Sequence, residues 1–291
     1  MRTCQLPGGV PIPVLGLGTW RMGESARQRG AELAALRSAI SMGYRLFDTA
    51  EMYGEGGAET LLGEALAAAL RAGDVRREDV FIVSKVYPHN ASRKGTPAAL
   101  DRSRARLQLD RIDLYLLHWR GQHSLRDTCE AMQSLQDAGS IGHWGVSNFD
   151  TDDLDELQSV QEELGMTAGR LACATNQVYY SLTTRGPEFA LLPWQRARAM
   201  PLMAYSPIDQ GALAAQPALL ALAAARGVTA AQMALAWVLA QDGVLAIPKA
   251  VREAHLRENL AAAQLVPTAE EMAALQRVFP PPRRRTPLAV R

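Results

Sequence analysis

The feature that most constrains the fold of this chain is a regular alternation of short β-prone runs with longer segments of helical periodicity. Eight such runs occur, at 15–19, 45–49, 80–86, 112–118, 143–148, 172–178, 202–206 and 244–248. Between them lie helical segments such as 30–42, 58–71, 97–109, 125–138 and 152–164. A helix between two strands returns the chain to the starting end of the sheet, so the strands are expected to be parallel. Eight units favour an α/β protein whose sheet closes into a (β/α)8 barrel of the TIM type.

Local signals agree with strands that are buried on both faces and with capped helices. The segments FIVSK and DLYLLH carry apolar residues at successive positions, as expected when helices cover one face and side chains fill the other. Thr96 before Pro97 indicates one helix start. Thr151, followed by two acidic residues in the first turn, Asp152 and Asp153, indicates another.

The N-terminal region distinguishes the barrel from a dinucleotide-binding Rossmann fold. A Rossmann fold needs a G-x-G-x-x-G turn that opens a helix, whereas Gly16 and Gly18 lead into Thr19 and Trp20. The uncharged run from 3 to 20 is rich in proline and glycine, which disfavours a membrane span and favours a β-hairpin with its turn at 7–9. A barrel of this kind takes about 250 residues, so we expect one domain over 1–291, with the hairpin and extra helices added.

Charge and cysteine usage exclude several classes of protein. Lys and Arg number 31 and Asp and Glu 30, and this balance disfavours a nucleic-acid partner. Cys4, Cys129 and Cys173 form no C-x-x-C pair, which fits a reducing compartment. The segment 1–10 lacks the apolar core of a signal peptide. We therefore expect a cytoplasmic protein without a membrane or nucleic-acid partner. No coiled-coil or edge-strand feature demands assembly, so we expect a monomer.

Polar residues end seven of the eight strand runs. In a (β/α)8 barrel functional groups gather at the carboxyl ends of the strands, so these residues are expected to share one mouth. They are Asp48, Lys85, His118, Ser147, Asn148, Gln177, Tyr205 and Lys249. Each alone has a structural explanation, such as a helix cap, a surface charge or a buried histidine with satisfied hydrogen bonds. Together they indicate a reaction site.

Three of these residues, together with the nearby Tyr53, suggest proton-transfer chemistry. Asp48 and Lys85, on adjacent strands, would supply each other's counter-charge. Tyr53, five residues after Asp48, can turn back over the pair, where the ammonium is expected to lower the phenol pKa from its usual value near 10. A neutral His118 could polarise a carbonyl oxygen lying between it and Tyr53. No H-x-H pair or Cys/His/carboxylate ligand set appears, so no metal is expected.

At these residues the chain resembles the aldo-keto reductase family, in its bacterial form with a short C-terminal tail. The motifs that carry the resemblance run nearly from end to end: LGLGTW (15–20), FDTAEMYG (47–54), SKV (84–86), DLYLLHW (113–119), GVSNF (145–149), NQV (176–178), AYSP (204–207) and IPKA (247–250). The resemblance implies carbonyl reduction with NADPH, with NADH also possible, and a catalytic tetrad of Asp48, Tyr53, Lys85 and His118 in which Tyr53 is the general acid.

The resemblance also implies a set of cofactor contacts. Ser147, Asn148 and Gln177 would hold the nicotinamide carboxamide, and Tyr205 would stack on the ring. The remaining contacts that it implies are Trp20 and Asp48 near the nicotinamide, Ser206, Ile208 and Gly211 along the pyrophosphate, Lys249 and Arg252 at the 2′-phosphate, and Glu258 and Asn259 at the adenine.

Two departures from the family pattern concern the 2′-phosphate. Ala250 stands where a serine is frequent, and His255 where an arginine is frequent. Arg252 could compensate, or could be an exposed charge at a helix start. Lys249 still favours NADPH over NADH.

The substrate site is expected to be aromatic and weakly selective. Trp20, Tyr53, His118 and Trp119 would line it, and the tail after 279 is short, which suggests an open pocket for small aldehydes and activated ketones. Two other functions stay open. The same residues would serve an alcohol dehydrogenase working in the oxidative direction, and the same scaffold could serve a cofactor-sensing regulatory protein.

Overall fold

Eight parallel strands form the centre of the computed structural model, which describes residues 2–166 and 172–291. All eight strand runs expected from the sequence are present, although most are shorter by one or two residues. The N-terminal hairpin is also confirmed, with β1 and β2 antiparallel around the turn at 7–9. The strands are β1 Thr3–Leu6, β2 Val10–Pro13, β3 Leu17–Gly18, β4 Leu46–Asp48, β5 Phe81–Val86, β6 Ile112–Leu117, β7 Ile141–Ser147, β8 Cys173–Tyr179, β9 Leu202–Tyr205 and β10 Val244–Ala246.

The sheet runs in sequence order from β3 to β10, and its two edges meet. Leu15 forms a parallel bridge with Ala246, and the amide of Gly16 donates to the carbonyl of Ala246 at 2.9 Å. A Cβ atom at Gly18 would lie 2.8 Å from the carbonyl oxygen of Ile247, so the close approach of the edges requires glycine there. The chain thus has the (β/α)8 fold that the alternation predicted.

Helices surround the sheet. They are α1 Arg29–Met42, α2 Gly57–Ala72, α3 Gly95–Leu107, α4 Leu125–Asp137, α5 Thr151–Glu163, α6 Leu191–Arg196, α7 Pro217–Arg226, α8 Ala230–Leu239, α9 Glu253–Ala262 and α10 Ala269–Val278. Among the described residues no single helix is long and apolar enough to cross a membrane, although α7 and α8, bent by 86°, together reach the required length and composition.

Both helix starts inferred from threonine were misplaced by a residue or more. The helix α3 begins at Gly95, whose amide donates to the Ser92 hydroxyl at 3.0 Å, so Thr96 lies inside the first turn. At α5 the N-cap is Asp150, which accepts from the amide of Thr151 at 2.7 Å. In both places a side chain earlier in the sequence satisfies the free amides of the first turn and therefore sets the helix start.

Candidate active site

Asp48 and Lys85 meet at the carboxyl ends of β4 and β5, as the sequence predicted. The Lys85 ammonium donates to Asp48 Oδ2 at 2.8 Å, to the carbonyl oxygen of Thr49 at 2.8 Å and to Tyr53 Oη at 3.2 Å. The side chains of Lys85 and Asp48 are 0% and 2% exposed. Burial raises the pKa of Asp48 and lowers that of Lys85, and the contact between their charges opposes both shifts. Three acceptors around one ammonium favour the charged pair.

Gln177 connects this pair to the far side of the barrel. From β8 its amide nitrogen donates to Asp48 Oδ1 at 2.7 Å, so both oxygens of the carboxylate are engaged. Ser147 lies beside Gln177 in the register of β7 and β8, and its hydroxyl donates to the Gln177 carbonyl at 2.8 Å. Two residues predicted to bind a carboxamide are therefore fixed by the same network as the ion pair.

Tyr53 turns back over the ion pair, as expected, but its pKa does not follow the expectation. The phenol lies 9% exposed in a short helical turn after β4. Its pKa is raised well above the usual value, first by burial and then by the charge of Asp48. The expectation of a lowered pKa was wrong because it considered the ammonium alone, whereas the Asp48 carboxylate offsets that charge and burial disfavours the phenolate. The phenol is therefore protonated at neutral pH.

His118 lies opposite Tyr53, with ring centroids 5.6 Å apart and planes at 73°. Burial, followed by the charge of Lys85, holds its pKa well below 6.5, so the ring is neutral. Its Nδ1 is buried without a hydrogen-bond partner among the described residues. A proton on Nδ1 would lack an acceptor, so the tautomer with the proton on Nε2 is favoured.

Asn148 and Tyr205 form a second polar group beside these residues. The Asn148 amide nitrogen donates to the carbonyl oxygen of His118 and to the Ser147 hydroxyl, both at 3.2 Å. Tyr205 Oη donates to Asn148 Oδ1 at 2.9 Å. The Tyr205 ring stacks on Tyr179 with centroids 5.7 Å apart and an interplanar angle of 14°. The Tyr205 side chain is thus held at two points at the end of β9.

One cavity of about 1000 Å³ brings most of the predicted site residues together. Two of the predicted residues do not line it. Lys85 lies behind the wall, in contact with Asp48 and Tyr53, and Arg252 is exposed at the N-cap of α9. The predicted residues that line the cavity are Trp20, Asp48, Tyr53, His118, Trp119, Ser147, Asn148, Gln177, Tyr205, Ser206, Ile208, Gly211, Lys249, Glu258 and Asn259.

The two ends of the cavity differ in chemistry. At one end Trp119 packs against His118, with centroids 4.9 Å apart, and against Tyr87 at 5.3 Å, which makes an aromatic wall. At the other end Lys249 and His255 line the cavity without a carboxylate within 4.0 Å of either among the described residues. The first end suits an apolar substrate, and the second suits an anionic group.

Several residues that line the cavity were not predicted from the sequence. Met52 could have been found from its place beside Tyr53, and Arg21 from its place beside Trp20, over whose ring its guanidinium lies at 4.4 Å from the centroid. Arg291 had no local signal. Its amide donates to Tyr205 Oη at 3.2 Å, a contact across 86 residues that depends on the path of the tail.

Comparisons with known proteins agree with this site. The model of the aldo/keto reductase family matches residues 14–279. Methylglyoxal reductase YeaE of Escherichia coli is 44% identical over 289 residues, which cover 98% of this chain and 97% of that protein. The glyoxal reductase of Bacillus subtilis is 33% identical over 258 residues, 88% of this chain and 85% of that protein.

A solved structure gives the same result. The crystal structure of an aldo/keto reductase from Klebsiella pneumoniae in complex with NADP and acetate superposes with a TM-score of 0.90 at 44% identity, and the match covers 99% of each chain. Family model, relatives and structure each extend over nearly the whole chain. The chain therefore belongs to the aldo/keto reductase family.

Proposed function

We propose that this enzyme reduces aldehydes and ketones to alcohols with NADPH. The observation that carries the proposal is the contact of Lys85 Nζ with Tyr53 Oη at 3.2 Å, in a cavity wall that also holds the neutral ring of His118. In this proposal the protonated phenol of Tyr53 and the imidazole of His118 both contact the oxygen of the substrate carbonyl.

The cavity fits NADPH in size and in the chemistry of its walls. Ser147, Asn148 and Gln177 offer amide and hydroxyl groups for the carboxamide, and Tyr205 offers an aromatic face. Ser206, Ile208 and Gly211 would follow the pyrophosphate, with Lys249 at the 2′-phosphate and Glu258 and Asn259 at the adenine. Two solved structures of aldo-keto reductases from Klebsiella pneumoniae, one in complex with NADP and acetate and one with NADPH, support this assignment. When bound, the cofactor supplies a hydride to the substrate carbonyl carbon.

Tyr53 supplies the proton. Because Lys85 donates to the phenol oxygen, the phenol's own proton is free to point into the cavity. As the carbonyl carbon gains the hydride, its oxygen becomes an alkoxide, which is a stronger base than a phenolate, and takes that proton. The phenolate left behind is stabilised by the Lys85 ammonium. Asp48 keeps the ammonium in place, and His118 donates to the same oxygen as its negative charge develops.

The substrate end suits small carbonyl compounds, with α-oxoaldehydes as the preferred class. Trp20, Met52 and Trp119 form an apolar wall, and few polar groups there could bind a long polar substrate. The names of two relatives, a methylglyoxal reductase and a glyoxal reductase, support the same class. Reduction is the proposed direction because both of these relatives are named as reductases.

The test is the loss of NADPH absorbance with methylglyoxal, glyoxal and a nitrobenzaldehyde, with NADH run in parallel. Turnover with wild type and its loss, by about 100-fold or more, in Tyr53→Phe is the expected result. Tyr115→Phe is the matched control, since the buried Tyr115 hydroxyl does not line the cavity and makes no hydrogen bond among the described residues, so its loss should not affect turnover. Tight NADPH binding without turnover would refute the reductase and favour a cofactor sensor.

Residence in the cytoplasm, a monomeric state and a single domain over 1–291 stay predictions.

A further inference from the structure

A buried carboxylate outside the tetrad lies in the loop whose residues Ile208, Gln210 and Gly211 line the cavity. Asp209, 4% exposed, accepts from Tyr179 Oη at 2.6 Å and from Ser181 Oγ at 2.7 Å, both through Oδ1. The hydroxyl of Thr183 donates to Oδ2. Three hydroxyl groups at alternate positions, beginning with the last residue of β8, thus donate to one side chain in the loop after β9.

That loop has an unusual backbone. Ser206, Asp209 and Gln210 have φ angles of 49°, 50° and 56°, and Gly211 has 93°. Left-handed conformations cost free energy in residues other than glycine, so a run of them persists only where other contacts hold the chain. Within the loop two backbone hydrogen bonds help, from the Asp209 amide to the carbonyl of Ser206 at 3.0 Å and from the Gly211 amide to that of Ile208 at 2.9 Å. The side chain of Asp209 adds hydrogen bonds to the segment 179–183.

A contribution to folding stability does not readily explain why a carboxylate is buried at position 209. Among the described residues no Lys or Arg nitrogen lies within 4.0 Å of Asp209, so its burial is compensated by hydroxyl groups only. An apolar residue of similar volume is often as stabilising as a buried charge. The residues beside Asp209 on both sides, Ile208 and Gln210, line the cavity, so the carboxylate lies where loop shape matters for a ligand.

We infer that Asp209 is a positioning residue for the cofactor, an inference that rests on the proposed function. Its carboxylate fastens the loop 206–211 to the segment 179–183 and holds the loop in the conformation that lines the pyrophosphate end of the cavity. Tyr205, which stacks on Tyr179, is held independently of Asp209 by its hydrogen bond to Asn148 Oδ1. The carboxylate therefore sets the affinity and release rate of NADPH, while the hydride and proton transfer at Tyr53 do not depend on it.

The sign of the effect distinguishes positioning from simple electrostatics. NADPH is an anion, so removal of a nearby negative charge would tighten its binding if charge were the whole role of Asp209. If the carboxylate positions the loop, Asp209→Ala weakens binding, because the loop must then be ordered when the cofactor binds. We expect the Kd for NADPH to rise about tenfold in Asp209→Ala, and less in Asp209→Asn, whose amide oxygen can still accept a hydroxyl.

The experiment measures NADPH Kd and dissociation rate by fluorescence, together with single-turnover reduction of methylglyoxal at saturating NADPH. The expected pattern is a higher Kd and faster release in Asp209→Ala, with a single-turnover rate within about twofold of wild type. Tyr179→Phe should show the same direction with a smaller change. Asp74→Asn, which removes an exposed carboxylate beside the outer helices, is the matched control for net charge and should change none of these values.

Unchanged or tighter NADPH binding in Asp209→Ala would overturn the inference, as would an equal loss in the single-turnover rate. A lower melting temperature with unchanged Kd would show that the carboxylate serves only the stability of the fold. Failure of the proposed function gives a different result, since wild type itself would then show no turnover.

Discussion

Replacement of Lys85 by methionine tests whether the buried ion pair is a single energetic unit. Methionine keeps most of the side-chain volume but removes the ammonium that contacts Asp48 Oδ2, the Thr49 carbonyl and Tyr53 Oη. The Asp48 carboxylate would then be buried without its cation, with only the Gln177 amide as a donor. Removal of one partner of a buried pair typically costs about 3–5 kcal/mol of stability.

The size of this loss has an upper bound. Asp48 can avoid being buried as an unpaired charge by taking up a proton. At pH 7 this protonation costs about 4 kcal/mol for a carboxyl group whose ordinary pKa is about 3.9. We therefore expect Lys85→Met to lose about 3–4 kcal/mol at pH 7. In this variant the pKa of Asp48 in the folded state lies above its value in the unfolded state. The variant is therefore more stable at low pH, and it loses that stability as the pH rises through the folded-state pKa. The deficit should shrink as pH falls below 7, by at most about 1.4 kcal/mol for each pH unit.

Urea unfolding followed by far-UV circular dichroism, at several pH values between about 5 and about 7, measures the deficit. Asp48→Asn combined with Lys85→Met removes both charges and keeps an acceptor for Gln177, so the double variant should be more stable than Lys85→Met alone. The matched control is Arg29→Met, because Arg29 pairs with Glu64 at the surface and should lose less than about 1 kcal/mol. A Lys85→Met deficit no larger than that of Arg29→Met, or one independent of pH, would show that the reasoning is wrong.

Three further predictions follow from the same site. First, His118 is neutral in the folded state and takes up a proton in the unfolded state below about pH 6.5, so the free energy of unfolding falls as the pH drops below that value. In urea titrations His118→Asn should lose less of its free energy of unfolding than wild type between about pH 7 and about pH 5. Second, because the pKa of Tyr53 is raised, the kcat for carbonyl reduction should stay constant from about pH 6 to about pH 9, while the kcat for alcohol oxidation rises with pH. A fall in the kcat for reduction across neutral pH would contradict this. Third, Lys249→Met should raise the KM for NADPH about tenfold or more and the KM for NADH less than about twofold. The control is Arg252→Met, which lies outside the cavity wall and should change neither KM in steady-state kinetics with the two cofactors.

The sequence by itself determined the order and kind of the secondary-structure elements. Hydrophobic periodicity showed eight strands separated by helices, and the parallel arrangement of such strands puts their carboxyl ends at one mouth. For that reason the residues that end the runs, among them Asp48, Lys85 and His118, could be assigned to a common site without a structure. The motifs at those same positions also indicated the family, which the comparisons then confirmed.

Tertiary structure alone decided how those residues interact. The hydrogen bond of Gln177 with Asp48 spans 129 residues, and that of Arg291 with Tyr205 spans 86, so no local pattern predicts either. The direction of the pKa shift of Tyr53 depends on burial and on the balance of two nearby charges, which spacing does not give. The exclusion of Arg252 from the cavity wall and the contacts of Asp209 depend on loop paths for the same reason. Periodicity fixes which face of an element is buried, but distances between elements arise only when the whole chain packs.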